Sequence, residues 1–559
     1  CNYLMIKNYD GTFHGNDRNW PGHLSIGSAE KPFGQTTNNK AIITLHGDRK
    51  TLEIPVYGAK VLAVRNSYLD LHGKPKLSYT KLSLPANYGN SSLFVRDDVE
   101  NEWQVGDEII IGSTNYNQIE AEERTIVSIR NNNEIIIDRP LDYDHHGGGY
   151  DIYDDSTGDL LKHIPEYTAV VACLSKNVVV EGSESSNHDQ FGMQIVFSNS
   201  IGENSNNILS EKNTLVGRMS HTEVRRGGQG LKLGKYPIHF HMVGTLPYSY
   251  VKNCTIHHSF NRALSIHGTN NVTIADNVAF DTRGHAIFIE DGTEEYNVIE
   301  GNVVGLVRPA WSLLQVDQTP AAFWIVNPNN YVNNNIAFGS SHYGFWYRFL
   351  HHPDGLGGEH LTDLGRTLCP NWTPTLSFRG NVAHSTGRHG LKMNEYFPIK
   401  CGRTCGVCFH DEEIADPTFM PTWAQLDARS DESHVSVNTW YEDFVSFKNK
   451  QFGVWGEFLV DVSFRNYRLL DHGIAGMEFA YINGRDTKFA SSRFEDLFLV
   501  GRTRPEEKVY LPSFGSASKY FMCELDPNLA KTATVTGCVH GLHLSGIGSE
   551  VTYSGVTFV

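Results

Sequence analysis

The chain has 559 residues, 40% of them hydrophobic and 11% aromatic, which excludes a disordered chain and is too long for one compact core. Lys and Arg total 47 against 63 Asp and Glu, a formal charge of −16, so no clustered cationic face is expected for general nucleic-acid binding. Fifty-two Gly and many Asn point to a turn-rich, all-β fold. The longest apolar run, Ala321 to Val326, is strand-sized and far short of a membrane span. The chain begins at Cys1 without an initiator Met or a charged-then-apolar leader, and reads as a processed or partial piece of a larger protein whose anchor would lie elsewhere.

In chain order, residues 1–145 read as short strands between Gly, Asn and Asp turns, among them 40–47, 68–73, 107–112, 123–129 and 133–141. Their alternation predicts half-buried antiparallel strands in a sandwich- or barrel-like module. Residues 142–159 are polar and Gly-rich, and 146–167 are expected to be a junction loop.

From 168 to 559 the sequence becomes a loose repeat. One register passes through Ala263, Ala286, Ala322, Gly344 and Gly390, with steps of 23, 36, 22 and 46 residues. Another passes through Asn253, Asn277, Asn302, Asn335 and Asn381, its first steps being 24 and 25. Such periods belong to solenoids, and the absence of any helix-length amphipathic pattern leaves a parallel β-helix. Stacked Asn residues would form a buried amide ladder, with surface turns as the simpler alternative. An insertion containing cysteines is expected near 355–425.

The cysteines number nine. Cys401, Cys405 and Cys408 could serve as zinc thiolates, but a fourth ligand would have to be Cys369 or His410, and no second C-x-x-C exists. Disulfides are expected instead: Cys523 with Cys538, and two bonds among Cys369, Cys401, Cys405 and Cys408. Sequons at Asn90, Asn253, Asn271 and Asn371 are glycosylation candidates and, with the cysteines, favour an extracellular compartment.

The blocks KYPIHFHMVG (235–244), FNRALSIHGTNNV (260–272), GHAIFIEDG (284–292), TPAAFWIVNPNNYVNNNIA (319–337), GFWYRFLHHPDG (344–355) and NEYFP (394–398) resemble the β-helix of the fibrocystin-L family and, less closely, the cell-surface hyaluronidases. Residues 24–33, 68–82, 103–114 and 135–145 are similar to the G8 module of both families. The resemblance implies a G8 module followed by a right-handed, pectin-lyase-like parallel β-helix (PbH1 repeats). It also implies an extracellular or cell-surface protein, with the ciliary membrane as one location.

The strand register sets His241, His267, Glu290 and Arg348 in one column, with Asp291 and His285 beside Glu290 and His239 on the same side as His241. Candidate catalytic residues are therefore His241, His267, Glu290 and Asp291. Candidate binding residues are His239, His285, Arg348, Trp346 and Arg262, with Trp311 and Trp324 also available to stack on sugars. Against this stands a structural reading in which the histidines are core residues, the EDG segment caps a turn and Trp324 is core. The paired His257–His258 and His351–His352 are expected to be exposed. The Gly-rich RRGGQGLKLG segment (225–234) fits no phosphate loop. Two functions are weighed. The first is a structural or adhesive rod presenting a face to an extracellular glycan or a neighbouring surface protein. The alternative is a hyaluronidase-like depolymerase, which needs an open groove where His241, His267 and Glu290 converge. Because Glu290 and Asp291 should diverge, no shortening of hyaluronan is expected. No cofactor or metal site is assigned, although Ca²⁺ or another divalent ion is left open. No nucleic-acid partner and no membrane span are expected.

Overall fold

A computed structural model describes residues 1–7, 22–37, 39–154, 156–199, 215–311, 314–360, 368–400, 436–482, 492–501, 509–510, 534–535, 540–545 and 551–559. Among the described residues, three parallel sheets of twelve strands each stack one strand per coil, which is a parallel β-helix. The first coil is built from Tyr3–Lys7, His23–Ile26 and Ala41–Leu45. The twelfth is built from His540–Ser545, Val551–Ser554 and Thr557–Phe558.

The β-helix thus starts at residue 3, not near 168. Tyr3–Lys7 pairs in parallel with Val61–Arg65, and His23–Ile26 with Tyr68–His72. The half-polar alternation of these segments was compatible with antiparallel pairing, but a solenoid also leaves outward faces wet. Antiparallel strands do form within residues 79–173, as a six-stranded sheet inserted between the second and third strands of the second coil. The expected junction loop contains a hairpin, Tyr150–Tyr153 with Leu160–Ile164. The insert packs Ile110, Ile164 and Tyr167 on the outer side of the third sheet, against Phe280, Phe338 and Phe447. That sheet is therefore covered on both faces.

Inside the coils, Ile238, Leu264, Ile287, Phe323, Phe345 and Leu391 stack one above another in the main core, as do Phe240 and Ile266. Each such burial contributes about 1.5–3 kcal/mol. Ala263 and Ala286 are fully buried in this core, in the register the sequence predicts. The Asn ladder also forms. The side-chain amide of Asn277 donates to Asn302 Oδ1 at 2.9 Å, that of Asn302 to Asn335 Oδ1 at 3.0 Å, and that of Asn335 to Asn381 Oδ1 at 3.2 Å. Asn253 does not belong to it. Cys254 takes that place, its N–H donating to Asn277 Oδ1. Asn253 instead lies in a column of left-handed bends with Asp276, Gly301, Asn334 and Gly380. A Cβ on Gly301 would stand 2.3 Å from Asp276 Oδ1, so a larger residue there requires the Asp276 side chain to move.

Cys369 is disulfide-bonded, while Cys173 and Cys254 are buried free thiols. Cys401, Cys405, Cys408, Cys523 and Cys538 lie outside the described residues, as does most of the expected insertion. Of the sequons, Asn90 is exposed, and Asn253 and Asn271 are half-buried. Asn371 is 1% exposed and its amide nitrogen already meets His351 Nδ1, so it is not an accessible glycosylation site in the fold. No helix among the described residues is long and apolar enough to cross a membrane.

Candidate active-site cleft

Alternation along the first sheet decides which side chains leave the core. In Ile238–Thr245, Leu264–Asn270 and Ile287–Ile289, the residues Ile238, Phe240, Leu264, Ile266, Ile287 and Ile289 point inward. Their neighbours must point outward. Parallel register then builds two outward columns. One runs Val196, His239, Ser265, Phe288, Trp324, Trp346 and Lys392. The other joins His241 to His267, and the N–H of Glu290, donating to Ile266 O, carries the register on to Glu290.

Val196, His239, Phe288 and Trp324 of the first column, with His241, His267 and Glu290 of the second, form the floor of a 590 Å³ cleft. Its sides come from Tyr57 and Lys235 on one hand, and from Leu314, Val316 and Leu356 on the other. His239, His241, His267, Glu290, Asp291, Phe288, Trp324 and Arg348 all line it. Four candidate catalytic residues are thus brought together, and not as isolated core side chains.

The polar contacts are short and directional. His241 Nδ1 faces His267 Nδ1 at 3.2 Å, and His267 Nε2 meets Asp291 Oδ2 at 2.6 Å. Glu290 Oε2 accepts from Ser265 Oγ at 2.7 Å and lies 3.8 Å from His267 Nδ1 and 3.9 Å from His239 Nε2. The two carboxylates therefore do diverge, approaching opposite nitrogens of one imidazole. His239 Nδ1 meets the Gly234 carbonyl at 3.0 Å, while its buried Nε2 has no hydrogen-bond partner.

These environments separate the histidines electrostatically. Burial, then the neighbouring His241 and His267, holds His239 well below the usual imidazole range. Burial, with His267 adding to it, brings His241 down to about 3. Burial also opposes charge on His267, but Glu290 and the hydrogen-bonded Asp291 outweigh it and raise the group to about 9. Beneath them, burial and Asp291 push the Glu294 carboxyl up to about 7. Glu294 accepts from the backbone N–H groups of Gly268 and Gly292 and so braces the EDG turn.

Several expected binding residues stand elsewhere. Arg262 is 1% exposed, clamped by Asp317 at 3.0 and 2.7 Å and by Tyr236 Oη at 2.9 Å, with its guanidinium 3.6 Å from the Phe288 ring centre. It supports the floor from below. His285 is fully buried, accepts the Ala321 N–H and packs on Trp324. Trp346 lies under Lys392 Nζ, 3.8 Å from its ring, outside the cleft lining. Trp311 is exposed beside a separate groove lined by Arg283, Arg308, Arg388 and Lys450. His257 is buried rather than exposed, with Nε2 3.3 Å from Glu223 Oε1, because the insert covers that sheet. Tyr236, Ser265, Asp317 and Glu294 were not singled out from sequence. Period-two counting back from His267 finds Ser265 and Tyr236 adjoins the KYPIHFH block, whereas Asp317 and Glu294 lie in connecting segments with no periodic signal.

With this geometry established, comparisons identify the chain's relatives. A CEMIP beta-helix model matches residues 205–391 and a G8 domain model residues 17–83. Fibrocystin-L of Mus musculus is 37% identical over 411 residues, covering 68% of this chain and 9% of that protein. This is a fibrocystin-L-like chain. Cell surface hyaluronidase CEMIP2 of Homo sapiens is 30% identical over 458 residues, covering 73% of this chain and 30% of that protein. The chain therefore spans a small part of the curated relatives it matches. Among solved structures, it is similar to the tailspike protein gp49 from Pseudomonas phage LKA1, with a TM-score of 0.24, 8% identity, and coverage of 85% of this chain and 71% of that one. It is also similar to the catalytic domain of GH87 alpha-1,3-glucanase in complex with nigerose, with a TM-score of 0.24, 9% identity, and coverage of 86% and 89%.

Proposed function

We propose that the fibrocystin-L-like chain is an extracellular surface segment whose rigid β-helix presents a polysaccharide-binding cleft. The observation that carries this reading is Arg348. It lines the cleft, sits 5.7 Å from the Trp324 ring centre and forms no ion pair among the described residues. An exposed, unpaired guanidinium on the cleft wall suits the carboxylate of an acidic sugar. The first test is titration with hyaluronan oligosaccharides by calorimetry. Saturable binding that weakens at least tenfold in Arg348→Ala supports the reading, and equal binding by the variant removes it.

The convergence of His241, His267 and Glu290 in an open cleft favours a second reading, cleavage of the bound chain. The hyaluronidase relatives are named for that activity. Depolymerisation of hyaluronan that is lost in both His241→Ala and Glu290→Gln would support it. Binding without shortening of the polymer leaves the adhesive reading in place.

A further inference from the structure

The cleft floor carries an arrangement that sugar binding does not explain. Three imidazoles from adjacent coils, His239, His241 and His267, each offer a nitrogen within 4.8 Å of the others, and His267, Glu290 and Asp291 satisfy the same condition. We infer that this floor is a binding site for a first-row divalent transition metal of the zinc type, held by His239 Nε2, His241 Nδ1, His267 Nδ1 and Glu290 Oε2.

One of the four donors is unpartnered, and the others are held facing the same space. His239 Nε2 is buried without a hydrogen-bond partner, and its ring is oriented by the Gly234 carbonyl on the opposite nitrogen. His267 is oriented in the same manner, Nε2 meeting Asp291 and Nδ1 turned toward His241. Glu290 is oriented by Ser265 Oγ. Metal-binding histidines commonly show this pattern, a carboxylate or backbone carbonyl fixing the nitrogen away from the ion. Ligands about 2.1 Å from a tetrahedral ion stand about 3.4 Å apart. The His241 Nδ1–His267 Nδ1 separation is 3.2 Å, and Glu290 Oε2 lies 3.8 Å from His267 Nδ1 and 3.9 Å from His239 Nε2, so the carboxylate closes on the ion by a small side-chain movement.

The donor set also selects the ion. Imidazole nitrogen suits zinc, copper, nickel, cobalt and iron, whereas calcium takes six to eight oxygen ligands. The Ca²⁺ left open by the sequence is therefore not the ion expected here. Arg262 limits the charge beneath the floor, since it compensates Asp317 and stands 3.9 Å from Glu290 Oε1. The inference is independent of glycan binding and survives a failure of that reading.

The test uses the whole 559-residue chain with an affinity tag free of histidine. After equilibration with Zn²⁺ and exhaustive dialysis, metal content is measured by mass spectrometry, and Co²⁺ loading is followed by its visible d–d absorption. About one metal per chain with a tetrahedral Co²⁺ spectrum is expected. His241→Ala and Glu290→Gln, both near the cleft surface and checked for native circular dichroism, should lose the bound metal. Asp291→Asn, at a residue that orients His267 and is not among the four proposed ligands, should weaken affinity by about 10–100-fold while keeping one site. A chain that retains no metal after dialysis overturns the inference. Retention of the metal in both His241→Ala and Glu290→Gln overturns it as well.

Discussion

Replacing Asn302 by Ala removes the middle rung of the amide ladder. Its Oδ1 accepts from the Asn277 N–H at 3.1 Å and from the Asn277 amide at 2.9 Å. Its own amide donates to the Ile274 carbonyl at 2.9 Å and to Asn335 Oδ1 at 3.0 Å. Two of these partners keep other contacts, since the Asn277 amide still reaches Val251 O and Asn335 Oδ1 still accepts the Asn302 N–H. The cost therefore concentrates on the Asn277 N–H, while the Ile274 carbonyl loses one of two donors and keeps its place in the strand ladder. At about 1–3 kcal/mol for the buried N–H left unsatisfied and about 1 kcal/mol for the second bond, roughly 3 kcal/mol is expected, or about a 100-fold rise in local opening. Each coil of a solenoid contacts chiefly its neighbours, so one global unfolding energy is a poor readout. Hydrogen exchange read by mass spectrometry is the better assay. Peptides covering 272–307 should exchange about 100-fold faster, while those covering 462–470 should not change. Asn302→Asp keeps the acceptor but sets a buried carboxylate against Asn335 Oδ1, and should open the region at least as much. Wild-type exchange in Asn302→Ala, or acceleration spread evenly over both regions, would refute the ladder as a source of local stability.

Arg262→Met removes both guanidinium bonds to the buried Asp317 carboxylate and should cost about 3–5 kcal/mol, visible as a large fall in melting temperature; an unchanged melt would show that the pair is dispensable. Gly301→Ala forces a Cβ onto Asp276 at a left-handed position and should destabilise by more than about 1 kcal/mol in the same assay. Burial opposes charge on Asp70, but hydrogen bonds from His72, Arg218 and His23 hold its carboxyl well below the usual range. Its folded value is the lower one, so its contribution is present above the unfolded carboxylate range and is lost as pH falls. Melts of the wild type and Asp70→Asn should thus differ at neutral pH and converge in acid; a constant gap would contradict the assignment. Burial, reinforced by Arg388, brings Lys392 down to about 7. A lysine lowered on folding costs the fold most where the buried amine is still charged, below the folded value, and the cost fades as pH rises to the unfolded value, so Lys392→Met should stabilise most below pH 7 and progressively less toward pH 10.

The repeat was legible because stacking makes equivalent residues recur in sequence. The small residues at 263, 286, 322, 344 and 390 fill one inner column, and the Asn residues from 277 to 381 fill another. The same register found His241, His267 and Glu290. It failed where the period is broken. The first two coils were hidden because the insert at 79–173 interrupts the second of them, and their strands look alike whether paired in parallel or antiparallel fashion. Asn253 was misplaced by one residue because ladder and bend positions adjoin, and both favour Asn. Arg262 and His285 sit beside the cleft residues in sequence, yet which neighbour is buried depends on Asp317 and Trp324, which arrive from other segments.

The inserted sheet leaves the β-helix splinted along one flank. Tyr167 Oη donates to Asp471 Oδ2 at 2.8 Å and its ring stacks on Phe447, while Ser385 Oγ donates to the Ser113 carbonyl. A module that interrupts the second coil thereby grips the eighth to tenth. Pulled from its C-terminal end, such a rod should peel readily through the last two coils and then resist, because further unravelling must also shear the splint. Among the described residues the flank carrying the cleft has no such brace, so tension along the rod would bend it about the splinted side and strain the cleft first.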